Sequence, residues 1–243
     1  MNTLCIDIGN TNTKVGIFFE GKIIEKQLLA GTMDATHADA LIRNFSIQRA
    51  ILSATKNFTE DLEMILEKLP IFYRLGNHMK LPITNSYATP DTLGRDRLAA
   101  VSAVRCLHPQ DNVLAIDAGT CITIDAVDAE GNYYGGSIHP GLRMRLKSMH
   151  HYTGKLPDIA LREYNLLWGI DSETSILAGA VHGAVMEVDA IIDLYRHHYE
   201  NLLVYITGGD MEYFVNNLKN KIFAHPDLVL QGLYEILECN ANK

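Results

Sequence analysis

Residues 4–19 read LCIDIGNTNTKVGIFF, and residues 114–127 read LAIDAGTCITIDAV. Each stretch begins as an apolar strand, turns at an Asp-x-Gly sequence with polar residues, and continues into a second apolar strand. Asp117 follows Asp7 by 110 residues, which is close to half of the 243-residue chain. A strand-turn-strand unit repeated at this spacing predicts an internally duplicated protein.

Alternating strands and helices surround both stretches. The pattern predicts strands at residues 4–8, 14–19, 23–29, 50–53, 71–75, 112–116, 121–127, 133–138 and 202–206, and helices at residues 35–44, 60–69, 98–106, 142–149 and 175–199. We therefore predict an α/β protein with mixed sheets and two similar domains, residues 1–109 and 110–243, divided near Pro109. The two Asp-x-Gly turns are expected to face each other across a shared cleft.

Composition excludes several classes of function. The net charge of −8 opposes sequence-independent binding to a phosphate backbone, and no basic leader precedes the first strand. No stretch is apolar enough and long enough to span a bilayer, so a cytoplasmic, soluble protein is expected. Four widely spaced cysteines, Cys5, Cys106, Cys121 and Cys239, predict buried reduced thiols rather than zinc ligands or disulfides.

Three glycine turns lie at the ends of predicted strands. The turn after Asp7 offers backbone N–H groups and polar side chains to phosphate oxygens, and Asp7 is a candidate ligand of Mg²⁺, directly or through water. The turns at residues 117–120 (DAGT) and 207–210 (TGGD) have the same character. Each alone is equally consistent with an ordinary turn, but all three together predict a nucleotide-binding cleft. The basic residues Arg143, Arg145 and Lys147 are either a solvated face or an anion contact.

The three turns resemble the phosphate-1, phosphate-2 and adenosine motifs of the superfamily of sugar kinases, Hsp70 and actin. Within that superfamily, the sequences DIGNT (residues 7–11), GRDR (94–97), DAGT (117–120) and GGSIHPG (135–141) together resemble the type III pantothenate kinases. The resemblance covers nearly the whole chain. It implies duplicated actin-like (ribonuclease H-like) domains with an interdomain ATP cleft.

The implied reaction is the ATP-dependent phosphorylation of pantothenate to 4'-phosphopantothenate, the first step of coenzyme A biosynthesis. The resemblance also implies Mg²⁺, a monovalent cation (K⁺ or NH₄⁺) bound by Asp117, and a homodimer. The residues implied to bind ATP are Asp7, Ile8, Gly9, Asn10, Thr11, Asn12, Thr13, Lys14 and Thr120.

The GRDR segment is implied to bind pantothenate. A kinase acting on a primary alcohol needs a carboxylate that orients the hydroxyl and accepts its proton, and Asp96 is assigned that role. Arg95 and Arg97 would neutralise a substrate carboxylate or the transferred phosphoryl group. The alternative is an N-capping Asp96 with solvated arginines.

Further substrate contacts are implied for Gly94, Tyr87 and a hydroxyl before the late helix. Counting back from Gly179 places Ser172 at that hydroxyl position, with Thr174 as its competitor. Ser172 is equally suited to be a helix N-cap. The glycines of residues 135–141 indicate close approach of a domain or of the substrate.

Two other functions remain compatible with the sequence. One is an enzyme of the same fold with a different substrate, either a kinase of another small alcohol or acid or a phosphoanhydride hydrolase. The other is a regulator that binds ATP without turnover. The acidic charge and the lack of a helix-turn-helix pattern argue against contact with DNA, so neither nucleic acid nor membrane is an expected partner.

Overall fold

The computed structural model describes residues 1–76 and 78–241, and the chain forms two compact units. The first unit contains Met1–Gln110, Val127–Gly135 and the described residues from Asp227 onward, and the second contains Asp111–Ala126 and Gly136–Pro226. These units differ from the predicted domains 1–109 and 110–243. The division near residue 110 recurs, but the carboxyl-terminal segment and a short hairpin belong to the first unit.

The first unit is built on a mixed five-stranded sheet. Its elements up to residue 107 are β1 (Asn2–Ile8), β2 (Asn12–Phe19), β3 (Lys22–Ala30), α1 (Ala35–Asn44), β4 (Ile47–Ala54), α2 (Glu60–Leu66), β5 (Ile71–Arg74), β6 (Thr84–Asn85), a 3-10 turn at Pro90–Thr92 and α3 (Arg95–Leu107). The strand order is β3-β2-β1-β4-β5. Strands β1, β2 and β3 pair antiparallel, whereas β1, β4 and β5 pair parallel.

The second unit has the same kind of opening. Its elements are β7 (Val113–Ala118), β8 (Cys121–Val127), the part of β9 (Asn132–Pro140) that follows Gly135, α4 (Leu142–His151), α5 (Ser172–His198), β10 (Leu203–Thr207), α6 (Met211–Asn217) and β11 (Phe223–Ala224), and α7 (Leu228–Ala241) ends the described chain. The second sheet runs β11-β10-β7-β8-β9-β6. Strand β10 pairs parallel with β7 and β11. The predicted α/β class with mixed sheets is confirmed.

Helix α7 explains why the carboxyl terminus belongs to the first unit. A Cβ at Gly232 would lie 2.5 Å from the carbonyl carbon of Ala99, so α7 and α3 touch along their backbones. Tyr234 stacks on Phe18 of β2 at 4.7 Å between ring centroids, and Arg49 of β4 pairs with Glu238 at 2.6 Å. Helix α7 therefore covers one face of the first sheet.

The predicted strands and helices are present, with shifted ends. Helices α3 and α5 begin three residues earlier than predicted, at Arg95 and Ser172. Helices α6 and α7 and the short strands β6 and β11 were not predicted. Cys5 is buried, as expected, but Cys106 and Cys121 are half-buried and Cys239 is exposed, so the prediction of buried thiols is correct at Cys5 alone. All four thiols are unpaired.

Contrary to the expectation from the sequence that no stretch is apolar and long enough to span a bilayer, helix α5 meets that test by length and composition. However, 56% of its most apolar window is buried inside the protein. Its Asp189 is buried and accepts hydrogen bonds from the backbone N–H groups of Lys219 and Asn220, each at 3.1 Å. A carboxylate bonded in this way belongs to a protein interior. We therefore describe α5 as a core helix.

The contact between α3 and α7 predicts a severe effect of Gly232→Ala. The added methyl group meets the backbone of Ala99, which cannot rotate away, so we expect a loss of at least about 2 kcal/mol in the free energy of unfolding. Gly154→Ala is the control, because a Cβ there has open space. Urea unfolding of both variants measures the difference, and equal stability would contradict the packing.

Candidate functional site

The first turn, residues 9–11, joins β1 to β2 and is held by backbone hydrogen bonds. The Gly9 N–H donates to the Asn12 carbonyl at 3.0 Å, and the Thr11 carbonyl accepts from the Gly31 N–H at 3.1 Å. The Thr13 hydroxyl donates to the Gly31 carbonyl at 2.6 Å. Asn10, Thr11 and Asn12 are nevertheless exposed. The turn is therefore fixed in place while its polar outer side faces solvent.

The end of β4 fastens the same turn from the other side. Thr55 donates to the Ile8 carbonyl through its N–H at 2.9 Å and through its hydroxyl at 3.1 Å. Lys56 Nζ donates to the Asn10 carbonyl at 3.1 Å. These residues were not predicted as site residues. Their signal in the sequence is the polar run that follows the apolar strand at residues 50–52.

Asp7 is 6% exposed at the end of β1. Its Oδ1 accepts a hydrogen bond from the hydroxyl of Ser53 at 3.0 Å, because parallel pairing of β1 and β4 places these two residues side by side. A nearly buried carboxylate requires such partners. Ser53 is a supporting residue that the sequence analysis missed, since only strand pairing identifies it.

The segment 94–97 forms the start of α3. Gly94 is the N-cap and makes no side-chain cap bond, so the alternative in which Asp96 caps the helix is wrong. Asp96 is half-buried, and its Oδ1 accepts from the Arg97 N–H at 2.9 Å. A Cβ at Gly94 would lie 2.6 Å from that oxygen. Glycine at this position therefore gives the Asp96 carboxylate its place over the first turn of the helix.

Tyr87 packs beside this segment in the first unit. The Arg97 guanidinium carbon lies 5.6 Å from the Tyr87 ring centroid, and Arg97 is 5% exposed. Tyr133 stacks near-parallel to Tyr87 at 6.4 Å between centroids. Gly135 has φ of 123°, and a Cβ there would lie 3.0 Å from the Tyr87 ring. The structure thus brings together Tyr87 and Arg97, and the absence of a side chain at Gly135 leaves space for the Tyr87 ring.

The second turn, residues 117–120, and the third turn, residues 207–210, lie against each other in the second unit. Parallel pairing sets Thr207 beside Asp117, and the Asp210 N–H donates to the Ala118 carbonyl at 2.8 Å. A Cβ at Gly208 would lie 2.5 Å from Asp117 Oδ1, and its φ of 101° also favours glycine. The predicted phosphate-2 and adenosine motifs are therefore one continuous surface.

The turn before α4 completes this surface. The Gly141 N–H donates to the Thr120 carbonyl at 3.2 Å, and any side chain at Gly141 would collide with the backbone of the second turn. Arg143 Nη1 then donates to Asp210 Oδ1 at 2.5 Å. The glycines of residues 135–141 were expected to allow close approach of a domain or of the substrate; at Gly141 the close approach is instead between two backbone turns of the second unit.

A charged network lies next to this turn. His139 Nδ1 and Oε1 of Glu187 are 2.6 Å apart, His139 Nε2 and the Ser137 hydroxyl are 2.7 Å apart, and Arg145 pairs with Glu187. Burial alone would raise the pKa of Glu187, but the bonds and charges of Arg145 and His139 outweigh it and hold that pKa below its usual value. The network links β9, α4 and α5.

An open cavity of about 530 Å³ lies at the start of α5, lined by Met149, Leu156, Gly169, Ile170, Asp171, Ser172, Ser175 and Ile176. Asp171 is the N-cap, so the alternative in which Ser172 caps the helix is wrong. The Thr174 hydroxyl donates to Asp171 Oδ1 at 2.7 Å and accepts from the Asp171 N–H at 3.1 Å. The Thr174 hydroxyl is therefore used in the hydrogen bonds of the helix cap, whereas Ser172 lines the cavity.

Comparison with known proteins identifies relatives along the whole chain. The family model for type III pantothenate kinase matches residues 3–194. A protein named type III pantothenate kinase from Phocaeicola vulgatus is 40% identical over 239 residues, covering 98% of each chain. A protein of the same name from Christiangramia forsetii is 41% identical over 238 residues, again covering 98% of each chain.

Solved structures share the fold at low identity. A Campylobacter jejuni protein described as belonging to the Baf family of transcriptional activators matches with a TM-score of 0.59 and 21% identity, over 99% of this chain and 100% of that one. The activator of 2-hydroxyisocaproyl-CoA dehydratase from Clostridium difficile matches with a TM-score of 0.54 and 13% identity, over 98% and 96%. The predicted actin-like fold is therefore confirmed.

The network around Glu187 predicts a pH-dependent effect on stability. A carboxylate whose folded pKa is lowered stabilises the protein above its unfolded pKa, and that contribution disappears as the pH falls through the folded value. At pH 7 we expect Glu187→Gln to lower Tm by roughly 2 °C, as for a partly screened ion pair. The difference from wild type should shrink as the pH falls below 4.5, the ordinary value for a glutamate.

The control for this measurement is Glu173→Gln, which removes an exposed carboxylate of the same helix whose nearest arginine nitrogen is 3.5 Å away. Thermal unfolding across pH 7 to 3, a range that extends below the ordinary glutamate pKa, should show little change in that variant. A Glu187→Gln difference that stays constant with pH would contradict the assignment.

Proposed function

The chain belongs to the type III pantothenate kinase family, and we propose that it transfers the γ-phosphoryl group of ATP to pantothenate, forming ADP and 4'-phosphopantothenate. The observation that carries this proposal is identity of about 40% to proteins of that name over 98% of both chains. The product places the reaction at the start of coenzyme A biosynthesis. A cytoplasmic location accords with these soluble substrates.

We assign the nucleotide to the glycine turns. In the first unit, the proposed ATP-binding residues are Asp7, Ile8, Gly9, Asn10, Thr11, Asn12, Thr13 and Lys14, and in the second unit Thr120 joins them. The proposal is supported by a first turn that is anchored by β3 and β4 while its polar side remains exposed. Such a turn binds phosphate oxygens with little reorganisation.

The carboxylates at the strand ends are the proposed cation ligands. Asp7 would hold Mg²⁺, directly or through water, and Asp117 would hold K⁺ or NH₄⁺. Both sites offer the oxygen donors that such cations prefer. When bound, Mg²⁺ supplies positive charge that neutralises the phosphates. Ser53 supports this role, because its hydroxyl orients the Asp7 carboxylate.

Asp96 is the proposed catalytic residue. Its carboxylate would orient the pantothenate hydroxyl and accept its proton as the bond to the γ-phosphorus forms. Arg95 and Arg97 would bind negative charge on the substrate, with Gly94 and Tyr87 completing the contact surface. The packing of Arg97 on Tyr87 and the place of Asp96 beside Gly94 support one preorganised substrate site.

Ser172 is the proposed hydroxyl contact to substrate from the second unit. Thr174 is the weaker candidate, because its hydroxyl already donates to and accepts from Asp171. Ser172 lies in the wall of the open cavity at the start of α5. The Ser172 hydroxyl can therefore contact substrate while the hydrogen bonds between Thr174 and Asp171 stay in place.

We also propose a homodimer that uses α5. One side of this helix exposes small and apolar residues, namely Gly179, Gly183, Met186 and Leu194, and the last two are 60% and 70% exposed. Small residues let two helices approach closely, and exposed apolar side chains gain free energy when a partner covers them. A second copy of the chain supplies the same face by symmetry.

The experiment that tests the proposed reaction is ADP release from Mg-ATP in potassium buffer, with and without pantothenate. We expect ADP release to depend on pantothenate and to fall when sodium replaces potassium. Release without an acceptor would identify a phosphoanhydride hydrolase. ATP binding without turnover would favour another acceptor or a regulator.

Asp96→Asn should retain ATP binding and lose turnover by roughly 10²–10⁴-fold, the usual contribution of a general base. Steady-state kinetics together with calorimetric ATP binding measures both quantities. The control is Asp91→Asn, which changes an exposed carboxylate of the preceding segment. Gly94→Ala should also reduce turnover, because its methyl group displaces the Asp96 carboxylate. Unchanged turnover in Asp96→Asn would disprove the assignment.

Met186→Glu should convert the dimer to a monomer, because it places a charge on the face that the partner helix covers. Size-exclusion chromatography with light scattering measures the mass. Met64→Glu is the matched control, since Met64 is 58% exposed on α2 of the first unit. A monomeric wild-type protein, or a Met186→Glu variant that remains dimeric, would exclude this interface.

A further inference from the structure

We propose that Arg143 binds the α-phosphate of ATP and thereby positions the nucleotide. This inference deepens the proposed function and rests on the assignment of ATP to the glycine turns. Arg143 belongs to none of the motifs by which the family was identified. Its role follows from where the second unit places its guanidinium group.

Arg143 lies where the second turn, the third turn and the turn before α4 meet. Two residues before it, Gly141 packs on the second turn and its N–H donates to the Thr120 carbonyl. The Arg143 side chain reaches the third turn, where its Nη1 donates to Asp210 Oδ1 at 2.5 Å. Asp210 in turn donates its N–H to the Ala118 carbonyl of the second turn. The guanidinium is therefore fixed at the junction between the second and third turns.

Arg143 and Asp210 differ in exposure, and the more exposed Arg143 keeps N–H donors available for a ligand. The Asp210 side chain is 6% exposed, whereas the Arg143 side chain is 66% exposed. A guanidinium carries five N–H donors, and within residues 1–76 and 78–241 Arg143 uses one of them, toward Asp210. The exposed donors match the geometry of two phosphate oxygens.

Nearby basic residues are less suited to this role. Arg145 donates to the Pro140 carbonyl at 2.9 Å and pairs with Glu187, so its guanidinium is already committed to the protein. Lys147 is exposed, but it lies one helical turn further along α4. Among the basic residues of α4, all of which the structure describes, Arg143 is thus the exposed one that contacts the third turn.

The chemistry of the ligand selects the α-phosphate. The second turn is assigned to phosphate and the third turn to adenosine, and the α-phosphate is the group that joins these two parts of ATP. A guanidinium at the junction of the two turns therefore meets the negative charge at that position. Such a contact exists with ATP, ADP and AMP alike, and adenosine lacks it.

Binding of four ligands to Arg143→Met tests the assignment. We expect the Kd values of ATP, ADP and AMP to rise about tenfold, the effect of one charge-assisted hydrogen bond at a partly exposed site. The Kd of adenosine should change less than about twofold, within the usual effect of a surface substitution. NMR-detected titrations of the full chain measure all four. Arg143→Lys should recover part of the affinity for the phosphorylated ligands, because it retains the charge.

Two controls separate phosphate binding from simple neutralisation of Asp210. Arg162→Met removes another exposed arginine of the second unit and should leave all four Kd values unchanged. The double variant Arg143→Met with Asp210→Asn removes both charges, and compared with Asp210→Asn alone it should still bind ADP about tenfold more weakly. Recovery of ADP binding in the double variant would show that Arg143 only neutralises Asp210.

The outcomes distinguish this inference from the proposed function. Equal loss of adenosine and ADP affinity, or no loss of either, would overturn the role of Arg143 while wild-type kinase activity stays intact. Conversely, a wild-type chain that binds ATP but does not phosphorylate pantothenate would change the acceptor, and the ligand series would still report on Arg143.

Discussion

Parallel strand pairing is the constraint on which the rest of this structure depends. Pairing of β1 with β4 sets Asp7 beside Ser53, and pairing of β7 with β10 sets Asp117 beside Thr207. Carboxyl ends of parallel strands meet at one edge of a sheet, so turns that are distant in sequence become neighbours there. In each unit, the residues assigned to ATP occupy such an edge.

Glycine makes the close contacts at these edges possible. Gly208 and Gly141 both approach the backbone of the second turn, and Gly94 and Gly135 leave room for Asp96 and Tyr87 respectively. A side chain at any of these positions would displace a turn or a functional group. Loss of side-chain packing and the higher entropy of the unfolded chain are the cost of glycine, so its use here indicates selection for geometry.

The buried carboxylates follow the same logic. Asp7 and Asp210 are nearly inaccessible; Asp7 accepts a hydrogen bond from the Ser53 hydroxyl, and Asp210 accepts one from the Arg143 guanidinium. Burying a charge is unfavourable unless polar partners surround it, so a buried carboxylate with partners is weak evidence for a role in stability. We propose that binding of cations and nucleotide explains their placement, with Asp7 near the end of β1 and Asp210 at the N-cap of α6.

The sequence by itself determined the alternation of strands and helices, the two Asp-x-Gly turns and the GRDR segment, because periodicity and turn chemistry are local properties. It did not reveal that α7 joins the first unit, that Ser53 holds Asp7, or that Arg143 reaches Asp210. It likewise did not reveal that Asp171 rather than Ser172 is the N-cap of α5, which follows from the hydrogen bonds between Asp171 and Thr174. These features arise from contacts between distant segments, and only the tertiary structure decides which distant segments become neighbours.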